Sequence, residues 1–404
     1  MKYKGFGSSK VFGIKVLPFY LLTFLLFSLS GCIDEYEADI PSADSDLLVV
    51  EGSICSGKVN KFILTRTLPV NSALMPTIVW DARVSVRGTD GSEYVAEATG
   101  DGYYLCQVGE LAPDVAYYLR IETSGEVYES DPQKPLRTEK IAEVCGVQET
   151  PESDIDVLVT PAEPFNPDQV NYYSWTYDET WEVHPDYVTY IYFDTDICAP
   201  VDKFDQFPVM GWKDATGSTI LVGSSLNYER QHIRKLKLYD IDRGHERMYY
   251  KYSGLVHQRA ISKAEYEYHL ARRQAGFEMG GLFTPQPSAL PTNIHCLTSN
   301  KRAIGFVGCA LNTSEYRFFL EAVDYSIYHP YRKDARIWLE NCDEKDCVRM
   351  VVKEHMFLCE WKDERQMEGV LRTAWAHDYQ LDVRLRGAYI EEPYFWSWTE
   401  NVSY

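Results

Sequence analysis

The chain has 404 residues, with 60 Asp and Glu against 40 Lys and Arg, a formal charge of −20 at pH 7. That balance argues against nucleic acid as a partner, because affinity for phosphates comes from Lys and Arg releasing counterions. With 45% apolar and 25% charged residues the composition is that of a globular protein and excludes disorder over the bulk, while 30 Tyr, 9 Trp and 17 Phe suit strands better than helices.

Residues 1–31 hold Lys2, Lys4, Lys10 and Lys15 and no acid, and the apolar run Val16 to Leu29 follows the last of these lysines. A basic segment followed by an apolar stretch too short to cross a bilayer reads as an export signal that is removed. The run ends in Leu29-Ser30-Gly31-Cys32, which resembles the bacterial lipobox. The alternative is an ordinary secretory signal with a chance cysteine, but charge, length, small residues and Cys coincide. The expectation is therefore lipidation at Cys32 and a body held on a membrane by acyl chains. Removal of 1–31 takes the basic count from 40 to 36 against 60 acids, so the mature charge is −24.

Asp34, Glu35, Glu37, Asp39, Asp44 and Asp46 follow with no base among them. Residues 32–46 are expected to form an acidic tether, because such a segment has little apolar surface to bury. It is either a plain spacer or a signal that carries the lipoprotein to the outer face of the outer membrane.

From 47 to 140 every signal is β. The apolar run Leu47–Val50, the pairs of strands around Asp90-Gly91 and Ser124-Gly125, and the turn at Asp101-Gly102 give about seven short strands. This is the pattern of an immunoglobulin-like sandwich without the antibody-type Cys and Trp arrangement. Acids and prolines over 141–170 suggest a connection, and 171–404 reads as a larger β-rich α+β domain.

In that second region Tyr173, Trp175, Tyr177, Glu179 and Trp181 share one face of a period-2 segment. They are either a core face or a platform for a ligand. Ser262-Lys263-Ala264-Glu265 is a capping box, and it predicts one clear helix near 263–275 with Gly276 past its end. Val348 to Val352 reads as a further short strand.

Ten Cys lie along the chain. With Cys32 taken by lipid, nine remain and at least one thiol is left unpaired. Cys342 and Cys347, with a polar loop between them, are the candidate disulfide. Adding His355 and Cys359 supplies ligand types for zinc, but the spacing departs from zinc signatures and His355–Cys359 reads better as a strand with a core thiol. Neither a serine-hydrolase elbow, an H-E-x-x-H helix nor a P-loop occurs. Asp240-Ile241-Asp242-Arg243-Gly244 lacks the rest of a calcium loop and reads as a polar turn. No catalytic residue, cofactor or metal is expected.

These stretches carry a family resemblance. The lipobox, Leu48–Gly52, Gly102-Tyr103-Tyr104, Tyr118–Glu122 with Tyr128–Ser130, Trp175–Trp181, and above all Ser262–Tyr268 continuing to Gly281–Ser288 and Asn293-Ile294, resemble the bacterial lipoproteins grouped as domain of unknown function 4249. One departure is Thr292, where family members often carry glycine. The resemblance implies an Ig-like N-terminal domain, a β-rich second domain, outer-membrane lipidation facing the cell exterior, and loci shared with TonB-dependent transporters. The expected role is a non-catalytic binding or accessory module for such a transporter in nutrient uptake. The rivals are a structural or adhesive envelope protein that binds glycan or peptide, and an unrecognised hydrolase.

Overall fold

Alternation of buried and exposed side chains dominates the strands of this chain. In Tyr117–Thr123, Tyr117, Leu119, Ile121 and Thr123 face inward while Tyr118, Arg120 and Glu122 do not. The structure, a computed structural model, describes residues 46–67, 77–100, 102–194, 196–197, 199–202, 207–278, 290–330, 333–342, 345–398 and 400–403. The expected signal at 1–31 and the expected tether up to residue 45 lie outside them. Asp46–Tyr404 forms one compact unit, mainly β.

Two sheets enclose the first core. One runs in the order Ala303–Gly305, Leu48–Glu51, Val59–Arg66, Tyr103–Gln107 and Glu97–Ala98; the other runs Ile294–Cys296, Glu126–Ser130, Tyr117–Thr123, Arg83–Gly88 and Glu93–Val95. Phe62, Leu64 and Tyr104 from the first meet Val84, Val86, Leu119 and Ile121 from the second. The Ser124-Gly125 hairpin is closed as its sequence requires, with both residues left-handed at φ 51° and 78°.

This sandwich does not end at residue 140. Strands Ile294–Cys296 and Ala303–Gly305, assigned from sequence to the second domain, form one edge of each sheet. The parallel pairing of Ala303–Gly305 with Leu48–Glu51 puts Gly305 (φ 145°) against Val50, where a Cβ would collide with the Val50 carbonyl oxygen. Gly305→Ala is therefore expected to lower stability by more than about 1 kcal/mol, read as a lower urea midpoint with unchanged slope. An unchanged midpoint would contradict this pairing.

Residues 141–170 also differ from the expected connection. Ile141–Val147 and Ile155–Pro161 are strands of a three-stranded antiparallel sheet with Leu236–Ile241. Of the acids that suggested a linker, Asp156 takes an outward position of Ile155–Pro161, while Ile155, Val157 and Val159 are fully buried. That sheet packs on the central antiparallel sheet, whose order is Gly211–Thr216, Tyr172–Val183, Lys251–Ile261, Ser314–Glu321 and Val402–Ser403.

The expected helix spans Lys263–Glu278. Ser262 Oγ accepts from the Glu265 N–H at 3.1 Å, as a cap should. The Glu265 carboxylate does not complete the capping box; it turns to Arg259 and His269. A further three-stranded sheet, Ile337–Glu340, Val370–His377 and Met356–Glu364, packs against helix Lys345–Lys353. The expected strand Val348–Val352 is thus a helix: Val348 and Val351, three apart, are buried, while Met350 and Val352 are exposed.

Candidate functional site

The longest strand of the central sheet ends at Val183, and beyond it several distant segments converge on a cleft of about 250 Å³. The strand itself delivers Glu182, directly paired with Trp212, and the neighbouring position pairs Trp181 with Lys213. A 3-10 turn, Glu246–Met248, delivers Glu246; the fully buried Met248 pins it, and His245 caps it by accepting from the Arg247 N–H at 3.2 Å. His329 arrives from a later loop and Arg386 from the end of the 3-10 helix Val383–Arg386.

The charges in this cleft are mutually paired. Glu182 Oε1 lies 2.6 Å from His184 Nε2, and Glu182 Oε2 accepts from Trp396 Nε1 at 3.3 Å. The His184 ring stacks on Tyr250 with centroids 3.8 Å apart. Lys213 Nζ donates to Glu246 at 2.8 Å, and Arg386 spans the Asp186 carboxylate (3.1 Å) and the His184 carbonyl (2.7 Å). Burial works against the charge on Glu246, but Lys213, with Trp181 and His245, outweighs it and holds the carboxyl below its ordinary value. Among the described residues the hydroxyl-bearing side chains lining the cleft are Tyr249, whose ring lies against His329, and Tyr250, whose ring stacks on His184. The arrangement offers hydrogen bonds and charge to a polar ligand.

Behind it lies a buried acid. Glu179 is 3% exposed, accepts from Tyr252 Oη at 2.9 Å, and pairs with Arg247 at 3.3 Å. Tyr252 and Tyr239 share a hydrogen bond of 2.9 Å, and Tyr239 stacks on Tyr177. Burial raises the Glu179 pKa, against the pull of Arg247. A carboxyl whose folded pKa is raised favours folding below the unfolded value of about 4.5, and that contribution is lost as pH rises through the folded value. Glu179→Gln is therefore expected to become progressively more stable relative to the parent as pH is raised from 4 to 8. Parallel urea midpoints across that range would contradict it.

The sequence-derived candidates fall elsewhere. Cys32 lies outside the described residues. Cys342 is buried and disulfide-bonded, while Cys347 sits in helix Lys345–Lys353 with its side chain outside the described ones. Cys359 is a free thiol on strand Met356–Glu364, pushed up to about 11 by burial, and among the described residues no group of three or more His, Cys, Asp or Glu could hold a metal. The aromatic stripe Tyr173, Trp175, Tyr177, Trp181 is core. Asp242 accepts from the Gly244 N–H at 2.6 Å, as a polar turn does. Sequence reading missed the cleft; its local signal was the run Glu182-Val183-His184-Pro185-Asp186, which places three of the charged groups within five residues.

Among the described residues no helix is long and apolar enough to cross a membrane. The sequence model of the family described as "Domain of unknown function (DUF4249)" matches residues 33–316. No curated protein matches. Among solved structures, a crystal structure of a Salmonella alpha-2-macroglobulin mutant is 9% identical and covers 92% of this chain but only 22% of its own, with a TM-score of 0.17, too low to carry an argument about fold or role.

Proposed function

The chain belongs to the family of unknown function DUF4249, matched from the residue after Cys32 to the middle of the central sheet, and we propose that it is a lipid-anchored outer-membrane protein acting as a non-catalytic binding module. The observation that carries the anchor is Leu29-Ser30-Gly31-Cys32 behind a basic segment and an apolar run. Several acyl chains on one cysteine hold a protein on a membrane where a single chain is marginal. Six acids, Asp34 to Asp46, follow the cysteine with no base among them.

The binding role is supported by the pairing within the cleft at the end of the central sheet. Glu182 with His184, Lys213 with Glu246, and Asp186 with Arg386 form a set of fixed donors and acceptors. General acid or base chemistry calls for a proton acceptor in reach of a reacting group. Here the paired charges neutralise one another and suit recognition of a polar solute. The partner fitting this reading is a TonB-dependent transporter, to which an anchored module would present its ligand. Proteinase treatment of intact cells should remove the body, and mild-detergent purification should retain the transporter. A body protected from proteinase, fractionating with the inner membrane and free of any transporter, would contradict the proposal.

A further inference from the structure

The loop between strands Leu221–Ser224 and Leu236–Ile241 holds three non-glycine residues in the left-handed region within six positions: Arg230 (φ 52°), Gln231 (φ 51°) and Lys235 (φ 50°). Side chains with a Cβ are disfavoured there, and such residues persist only where the surroundings over-determine them. The surroundings do so here. Ile233 is 1% exposed in the core, His232 Nε2 donates to the Pro161 carbonyl at 2.9 Å, Ser225 Oγ donates to Gln231 Oε1 at 3.1 Å, and the Lys235 N–H donates to Thr160 Oγ1 at 3.0 Å. A strained backbone fixed from several sides sets where the side chains of this loop leave the chain.

From this loop Arg230, His232 and Arg234, with Tyr228 and Glu229 ahead of them, line a cleft of about 500 Å³, and Glu163, Pro164 and Pro167 line it from another segment. It is lined by two guanidiniums, Arg230 and Arg234, and two carboxylates, Glu163 and Glu229. None of the four makes an ion pair with another described residue. This is the reverse of the cleft beside His184, where the acids and bases already satisfy one another. Pro164, Pro167 and Tyr228 add apolar wall. The whole cleft lies inside the span matched by the family.

We infer that this cleft binds a small zwitterion, an amino acid or short peptide with free ends, its carboxylate on Arg230 and Arg234 and its ammonium near Glu163 and Glu229. Guanidinium forks hold carboxylates through paired, charge-assisted hydrogen bonds. An anion alone would meet the two carboxylates, and a cation alone the two guanidiniums. A ligand carrying both charges satisfies all four. The inference goes beyond the cleft beside His184 and gives the proposed binding role a second site with its own ligand class, and it leans on that reading only for the physiological use of the site.

The test is calorimetric titration of the full-length protein in a non-ionic detergent with three sets of dipeptides: free-ended, N-acetylated, and C-amidated. The free-ended set should bind, and each blocked set should bind at least about tenfold more weakly. The double variant R230Q/R234Q should lose the discrimination against C-amides while keeping its melting temperature, since both side chains are exposed. Arg230→Asn should do the same with an equal or higher melting temperature, because Asn tolerates the left-handed conformation. Absence of binding by all three sets, equal binding of the three, or full discrimination retained by R230Q/R234Q would overturn the inference. None of these readouts involves the anchor or a transporter, so this assignment and the location reading fail independently.

Discussion

Glu265→Gln is expected to lower the free energy of unfolding by about 3–5 kcal/mol, the cost of leaving one charge of a buried pair without its partner. Glu265 is 2% exposed, and Arg259 Nη1 donates to it at 3.2 Å with Nη2 also bonded. Arg259 comes from the end of strand Lys251–Ile261, Glu265 from the first turn of the helix, and Gly308, whose Cβ would overlap the carboxylate, leads into the short strand Cys309–Ala310 that pairs with Ile54–Cys55 of the sandwich region. The ion pair therefore sits where the central sheet, the helix and the sandwich meet. Burial alone would raise the Glu265 pKa, but Arg259 and His269 reverse the effect and hold it below the ordinary value of 4.5. A carboxyl lowered in this way stabilises the fold above its unfolded pKa, and that stability is lost as pH falls through the folded value. The penalty of the Gln variant should accordingly shrink in acid. The double replacement R259M/E265L, which removes both charges, should recover much of the loss. A single-variant loss below about 1 kcal/mol would mean that the pair behaves as a solvated surface bridge.

Trp175→Ala is expected to cost about 3–5 kcal/mol by opening a cavity in the core between the three-stranded and central sheets. Trp175 is 2% exposed, Gly223 packs against its ring edge, and its Nε1 donates to Gln258 Oε1 at 2.9 Å. Gln258 in turn donates to the Glu139 carbonyl at 2.8 Å, so loss of the indole strands one end of a buried chain of hydrogen bonds. Trp175→Phe separates the two contributions: it refills most of the volume and leaves a penalty of about 1–3 kcal/mol from the unmet Gln258 acceptor. Urea midpoints of both variants provide the check. A full-strength core with loss of ligand binding instead would revive the platform reading of the aromatic stripe.

Where the chain repeats a short-range rule, the fold was legible. The period-2 pattern of Tyr172–Val183, the Ser124-Gly125 turn and Ser262 ahead of the helix each follow from neighbours within four residues, and each is found where the residues indicate. Glu265 shows the limit. Its spacing from Ser262 encodes a capping box, yet the carboxylate is taken by Arg259, which only the strand-to-helix corner brings close. Val348–Val352 is apolar and β-branched enough for a strand, and only packing of Val348 and Val351 against Met356 and Trp375 selects a helix. Edge strands such as Ala303–Gly305 are three residues long and owe their place to a partner some 250 positions away. The cleft beside His184 was illegible for the same reason: Glu182, His184 and Asp186 are neighbours, but Lys213, Glu246, His329 and Arg386 reach them from distant segments with no common spacing. The strained loop at 230–235 was hidden because non-glycine residues give no sign of a positive φ.

The central claim is that Cys32 carries lipid and holds the 46–404 body on a membrane. Its most direct test is growth of expressing cells in radiolabelled palmitate, followed by isolation of the parent protein and its Cys32→Ser variant. The account predicts label in the parent, recovery of the parent in the outer-membrane fraction, and an unlabelled variant that leaves that fraction. An unlabelled parent, or a Cys32→Ser variant still labelled and membrane-bound, would contradict it.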